Sequence, residues 1–203
     1  MSKVKVVLAV SVFFLLPTII HAQQFDVGFG VDTISAPSTN VTSTFVGSTQ
    51  SLTGGAYPIF SADYLLKRHF GIQGEVAWRA AQNLYLGFEP YRPIFFDFNA
   101  IYSRKINRYV APELAAGIGA ESVRFYQNYF NCSFFGGCTN YVTSTHFLGD
   151  VGGGLRLYVH GNFFVRPEAH LYWIHNNVEF SSNHATRYGI SIGYTFGSPI
   201  GYP

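Results

Sequence analysis

Along most of the chain, large apolar side chains alternate with small or polar ones at a period of two. That rhythm belongs to strands whose two faces meet different surroundings. It is sharpest in residues 187–196, where Tyr188, Ile190, Ile192, Tyr194 and Phe196 share one face and Arg187, Gly189, Ser191, Gly193 and Thr195 the other. Seven further stretches follow the same rule: residues 25–32, 57–66, 70–79, 94–102, 109–124, 143–159 and 163–173. No segment of helical period competes with them, so the prediction is an all-β chain of eight strands.

The connections alternate too. Residues 67–69, 103–108 and 160–162 are tight, whereas 33–56, 80–93, 125–142 and 174–186 are long. Short turns at one end and long loops at the other are the wiring of an antiparallel up-and-down barrel, and an even strand count brings both termini to the short-turn end. Proline cannot donate to a strand ladder. Pro58, Pro93, Pro112 and Pro167 are therefore expected near strand ends.

Alternation alone does not say which face looks outward. A soluble barrel would turn its apolar set inward around a ligand. Here the polar set holds Asp26, Asp63, Glu75, Arg79, Asp97, Glu113, Glu121, Asp150, Arg156, Arg166 and Glu168 among glycines and serines. It is narrow enough, and mixed enough in sign, to pair inside an enclosed lumen. The apolar set carries no charge, and Trp78, Tyr102, Trp173 and Tyr194 recur near strand ends as interfacial aromatic belts do. The prediction is an eight-stranded antiparallel up-and-down transmembrane β-barrel, apolar outside and ionic inside.

Composition agrees. Aromatic residues make up 18% of the chain and charged residues only 12%, about half the share of an ordinary soluble domain. Lys3 and Lys5 precede an apolar run from Val6 to Ile20 closed by Ala22, the order of a secretory signal peptide. Residues 1–22 are accordingly expected to be a cleaved leader and 23–203 one barrel domain. Of the 13 Lys and Arg, Lys3 and Lys5 belong to that leader, so 11 face 11 Asp and Glu, a balance that argues against nucleic acid as a partner. The two lysines left, Lys67 and Lys105, fall in tight turns. Cys132 and Cys138 bracket five residues in an exported chain and are expected to form a disulfide.

The candidate chemistry is thin. The interior carboxylates and arginines are read as a plug of salt bridges, since eight strands leave room only for side chains. Ser144 near His146, or Ser191 near His170, would serve a lipid-modifying enzyme, but sequence places no acidic third member beside either pair. His175 and His184 lack other fixed ligands for a metal. No cofactor is expected. Aromatic residues from Phe125 through Tyr141, stapled by the disulfide, form the best candidate contact surface for an extracellular ligand.

The pattern resembles the small eight-stranded outer-membrane barrels of the OmpA/OmpX kind over the whole length after the leader. The most specific likeness is the closing strand. Arg187-Tyr188-Gly189-Ile190-Ser191-Ile192-Gly193-Tyr194, followed by Phe196, is similar to that family's terminal assembly signal. The resemblance implies insertion by the barrel-assembly machinery through Gly189, Ile192, Tyr194 and Phe196. It also implies contact with outer-membrane lipid and lipopolysaccharide, a bacterial outer-membrane location, and a structural or surface-interaction role without catalysis. The alternatives it leaves are a lipid A deacylase type of enzyme and a small-solute channel. The chain departs by running seven residues beyond Phe196.

Overall fold

The computed structural model describes residues 24–37, 51–66, 69–133, 137–177, 179–180 and 183–197. The expected leader and Lys67 lie outside them. The described residues form strands and connections without a helix: β1 (Gln24–Ser35), β2 (Tyr57–Leu65), β3 (Phe70–Trp78), β4 (Asn83–Tyr85), β5 (Glu89–Ser103), β6 (Val110–Ser133), β7 (Gly137–His160), β8 (Phe163–Ile174) and β9 (His184–Phe196). Every neighbouring pair is antiparallel. The sheet runs β3-β2-β1-β9-β8-β7-β6-β5, and β3 pairs again with β5, so eight strands close into a ring. β4 is a three-residue addition that turns back onto the start of β5 beyond the ring.

Closure puts the two sets of side chains where the pattern predicts. Along β1, Gln24, Asp26, Gly28, Gly30 and Asp32 are buried in the lumen, while Phe25, Phe29 and Val31 are exposed on the outer surface. The same division holds for Phe60, Ile72, Phe96, Phe98, Ile118, Val151 and Ile192, all exposed outward, against Asp63, Glu75, Asp97, Asn99, Glu113, Arg156 and Ser191, all buried. In water such an outside would collapse or aggregate. Among acyl chains it is the favourable solvent contact.

Two aromatic belts bound that surface. At the tight-turn end Phe163 lies edge-on to Tyr194 and Tyr194 to Phe196, each at 4.8 Å, with Phe25 beyond Phe196 and Phe70 against Tyr102. Trp78 and Trp173 stand at the long-loop end of β3 and β8. Phe70 to Trp78 is eight residue steps, and at about 3.3 Å each with a tilt of about 40° they rise about 20 Å, close to the apolar band of a membrane barrel.

The interior is narrow enough to select glycine. A Cβ on Gly119 would run into the Phe96 carbonyl and the Asp97 backbone, and one on Gly117 into the Phe98 carbonyl and Asn99. Glycine there lets neighbouring strands and the long ionic side chains share the lumen.

Three expectations are corrected. Residues 125–142 are mostly strand and not loop: β6 and β7 continue as a paired ribbon to Ser133 and Gly137, with a register shift between Tyr126 and Asn131. Within 80–93, β4 and the start of β5 form a small hairpin. The prolines are not confined to strand ends. Pro167 sits inside β8 and pairs with Ile190 of β9, and the β7–β8 ladder lacks a pair at that point, where proline has no N–H to give.

Candidate functional site

The lumen has two storeys. In the lower one Arg156 of β7 meets Asp26 of β1, Asp63 of β2 at 2.8 Å and Glu113 of β6. Arg166 of β8 reaches Asp63 at 2.9 Å, Glu113 at 3.2 Å and Glu168 at 2.6 Å, and donates to the Ser61 hydroxyl at 2.9 Å. Arg187 of β9 lies 3.0 Å from Asp32 and pairs with Glu75; these are charge contacts without hydrogen-bond alignment. His170 faces Asp150 at 2.8 Å. Tyr172 and Asn99 both donate to Asp97.

Alternation around a closed ring produces this meeting. Residues more than a hundred positions apart, such as Arg156 and Asp26, are brought to one level on facing strands. Separated from water, each charge would be prohibitively costly alone, and the shared guanidinium forks offset that cost.

Of the expected inward charges, Asp26, Asp63, Glu75, Asp97, Glu113, Asp150, Arg156, Arg166 and Glu168 stand in the network. Two members do not. Arg79 follows the end of β3 and donates to the Tyr91 hydroxyl at 3.3 Å, with its guanidinium 5.8 Å from that ring, above the ionic layer. Glu121 is fully buried, but among the described residues its carboxylate has no hydrogen-bond partner. Arg187, Asp32 and His170 belong to the network and were recognisable only as inward-facing positions. Arg187 is the one charged residue of the stretch 187–196, but nothing in the sequence says which acids it would meet.

The upper storey is apolar, which the outward-facing pattern did not foresee. Ile34, Ile59, Tyr57, Phe95, Val123, Leu148, Tyr172 and Ile174 turn inward from the upper ends of the strands, and Leu52 and Phe180 fold in from the long connections. Phe95 stacks on Tyr172 at 5.5 Å, and Tyr91 meets Phe180 at 5.1 Å. This cap is an ordinary buried core seated on the ionic layer, held by removal of apolar surface from water. Phe95 and Phe96 show why it was hidden: they are adjacent and equally apolar, yet one fills the lumen and the other faces outward.

At the rim, the Ser144 hydroxyl lies 3.0 Å from His146 Nε2 and donates to Glu179 Oε1 at 2.6 Å, while Glu179 Oε2 lies 2.9 Å from that same His146 nitrogen. The structure thus supplies the acidic neighbour that sequence left unplaced. In a serine relay, however, the acid holds one imidazole nitrogen and the serine the other. Here both use Nε2, so the cluster acts as a clasp fastening the β8–β9 connection to β7. Tyr85 strengthens the clasp by donating to the Glu179 carbonyl at 3.1 Å. Ser191 and His170 form no pair, since Ser191 donates to the Arg166 carbonyl and His170 is engaged by Asp150. Among the described residues no group of three His, Cys, Asp or Glu gathers to hold a metal ion.

Beyond the rim β6 and β7 stand free as a two-stranded ribbon. Such a ribbon is marginal in water by itself, and a Cys132–Cys138 disulfide closes it near the tip. The Tyr126 and Tyr141 rings lie 6.1 Å apart, Arg124 sits over Tyr141 at 5.0 Å, and Tyr129 and Phe130 are exposed.

Ring closure, an apolar exterior and an ionic lumen define the class: an eight-stranded antiparallel up-and-down transmembrane β-barrel. No protein-family model matches the chain, and no curated protein matches it. Solved structures do. Neisserial surface protein A (NspA) aligns with a TM-score of 0.59 at 15% identity over 85% of this chain and 97% of its own. Ail, the attachment invasion locus protein of Yersinia pestis, solved with the heparin analogue sucrose octasulfate, gives 0.57 at 14% over 85% and 98%. The N-terminal β-barrel domain of Pseudomonas aeruginosa OprF gives 0.56 at 12% over 86% and 98%. At these identities the likeness is one of fold, the fold of small outer-membrane eight-stranded barrels.

Proposed function

We propose that this protein is a bacterial outer-membrane barrel with a structural and surface-presenting role and no chemistry of its own. The observation that carries the reading is the pairing of an apolar belt outside with a lumen occupied on both storeys by ion pairs and aromatic core. Such an interior supports a rigid stave and argues against a solute channel. The tight turns and both ends of the barrel then face the periplasm, and the long connections face outward. The β6–β7 ribbon, with its exposed aromatics and its staple, is the element offered to an extracellular ligand. Outer-membrane lipid and lipopolysaccharide are the surroundings, and the closing strand is the segment offered to the assembly machinery: Ile192, Tyr194 and Phe196 face outward while Gly189 packs inward against Asp32.

The test is direct. Purified from outer-membrane fractions, the protein should migrate differently on detergent gels before and after boiling, and it should give no stepwise conductance in planar bilayers. A single boiled-like band from an unheated sample would overturn the barrel reading, and regular conductance steps would overturn the closed lumen.

A second reading, that of a lipid-modifying enzyme, rests on the proximity of Ser144, His146 and Glu179 and requires the His146 ring to turn so that Ser144 and Glu179 hold different nitrogens. Incubation with lipopolysaccharide followed by mass analysis separates the two: a loss of acyl chains that disappears in Ser144→Ala would establish the enzyme.

A further inference from the structure

On the outer wall at the long-loop end, Arg92 of β5 stands directly opposite Arg124 of β6 in the antiparallel register. Both point outward. Arg92 lies between Tyr91 and Pro93, which are buried, and Arg124 lies between buried Val123 and Phe125, which packs against the inner core. Like charges set face to face across a ladder repel. The two side chains part to either side: Arg92 donates to the Ala80 carbonyl at 3.2 Å towards β3, and the Arg124 guanidinium lies 5.0 Å from the Tyr141 ring towards β7.

Nothing acidic answers them. No Asp or Glu occurs in residues 76–88, 90–96 or 122–149. The nearest acids along the chain, Glu89 and Glu121, fall on the opposite faces of their strands. Among the described residues every ion pair belongs to the lumen or to the His146–Glu179 clasp. The Arg92 Nε is buried, and among the described residues it has no hydrogen-bond partner.

Their height on the wall is set by the register. Trp78 of the upper aromatic belt pairs with Ile94, and Arg92 is two positions further out. At about 3.3 Å per residue and a tilt of about 40°, that places the arginines about 5 Å beyond the belt. Towards the membrane the same face is apolar, with Ala120 opposite the exposed Phe147. Beside the arginines it is hydroxylic: Thr143 pairs with Arg124, and Thr145 with Ser122. A band of cations and hydroxyls thus sits directly above the greasy wall, where acyl chains give way to headgroups.

We propose that Arg92 and Arg124 together hold the phosphate of a phosphorylated glycolipid in the outer leaflet, its sugar hydroxyls meeting Ser122, Thr143 and Thr145 and its acyl chains running down Ile94 and Phe147. A phosphate between the two guanidinium forks turns their repulsion into two charge-assisted contacts. The hydroxyl side chains suit a sugar, and the apolar wall below suits a ligand that carries its own acyl chains. The inference rests on the proposed orientation, in which the long connections face outward, and it names the residues that would meet lipopolysaccharide there.

The experiment is native mass spectrometry of the full chain refolded in detergent and offered bisphosphorylated lipid A, the same lipid A with its phosphates removed, or glucosamine 1-phosphate. The folded barrel should retain one bisphosphorylated lipid with a preference of roughly tenfold or more over the dephosphorylated one, each arginine supplying roughly fivefold. In an Arg92→Gln/Arg124→Gln double variant the preference should fall to within about twofold, whereas Arg108→Gln, which removes a cation at the tight-turn end, should keep it. Equal retention of the two lipids, a preference that survives in the double variant, or an equal loss in Arg108→Gln overturns the site. Glucosamine 1-phosphate held as tightly as the lipid makes it a soluble-anion site and overturns the lipid assignment. Heat-modifiable migration is checked on each sample: where it is present and the preference absent, only the arginine site fails, and where it is absent in the parent chain, the barrel reading fails and the site with it.

Discussion

Arg187 on the last strand lies 3.0 Å from Asp32 on the first, so an ion pair spans the seam where the barrel closes. The backbone ladder across that seam runs from Phe25 opposite Phe196 to Ser35 opposite Thr186, and the same guanidinium reaches on to Glu75 of β3. One side chain therefore ties three strands that closure must bring together.

Replacing it should be costly. Arg187→Met leaves Asp32 and Glu75 buried without their cation, a loss of about 3 to 5 kcal/mol for a broken buried pair. Urea titration of the barrel in lipid, followed by the gel shift, measures it. Adding Asp32→Asn and Glu75→Gln to the same chain should restore much of the loss, because the charges that needed compensation are gone. A triple variant as unstable as the single one would show that Arg187 acts through packing instead.

Lipid contact is tested by one charge at two places. Phe98 is 74% exposed on the wall and Phe130 70% exposed on the ribbon. Phe98→Arg should weaken folding into bilayers by about 2 to 4 kcal/mol, the cost of arginine at mid-membrane. Phe130→Arg, equally exposed but beyond the rim, should leave insertion within about 0.5 kcal/mol of the parent, as an ordinary surface change does. Equal effects would mean that the wall does not face acyl chains.

Crowding of the lumen gives a third contrast. A Cβ at Gly119 meets neighbouring backbone, whereas one at Gly149 meets nothing within 4 Å. Gly119→Ala should destabilise the folded barrel by about 1 to 3 kcal/mol, the usual range for overpacking. Gly149→Ala should be neutral or slightly stabilising, since it removes freedom from the unfolded chain. Both are read from unfolding midpoints in the same lipid.

The disulfide should act locally. Cys132 and Cys138 are six positions apart, and closing so short a loop is worth about 2 kcal/mol by chain entropy. Cys132→Ser/Cys138→Ser should therefore raise proteolytic nicking of the ribbon by roughly 30-fold, with the heat-modifiable band unchanged. A simultaneous fall in barrel stability would mean that the ribbon and the ring unfold as one unit.

What the sequence determined by itself was the period and the two-sidedness. Strict alternation, charge withheld from one face and turns of alternating length together define an inside-out barrel, because a strand's side chains must part to opposite faces whatever lies around them. The eight strands, the inward carboxylates and the cysteine pair were legible for that reason. Tertiary closure decided the rest. Which arginine meets which acid depends on register around the ring, and so Arg187 entered the network while Arg79 left it for Tyr91. The apolar upper storey was likewise invisible, since Phe95 and Phe96 differ only in the direction the pleat gives them at the mouth of the barrel. The clasp of Ser144, His146 and Glu179 joins a strand to a connection 35 positions away, a distance no local pattern spans. Periodicity records what each face touches, and only the closed ring brings distant residues to one height.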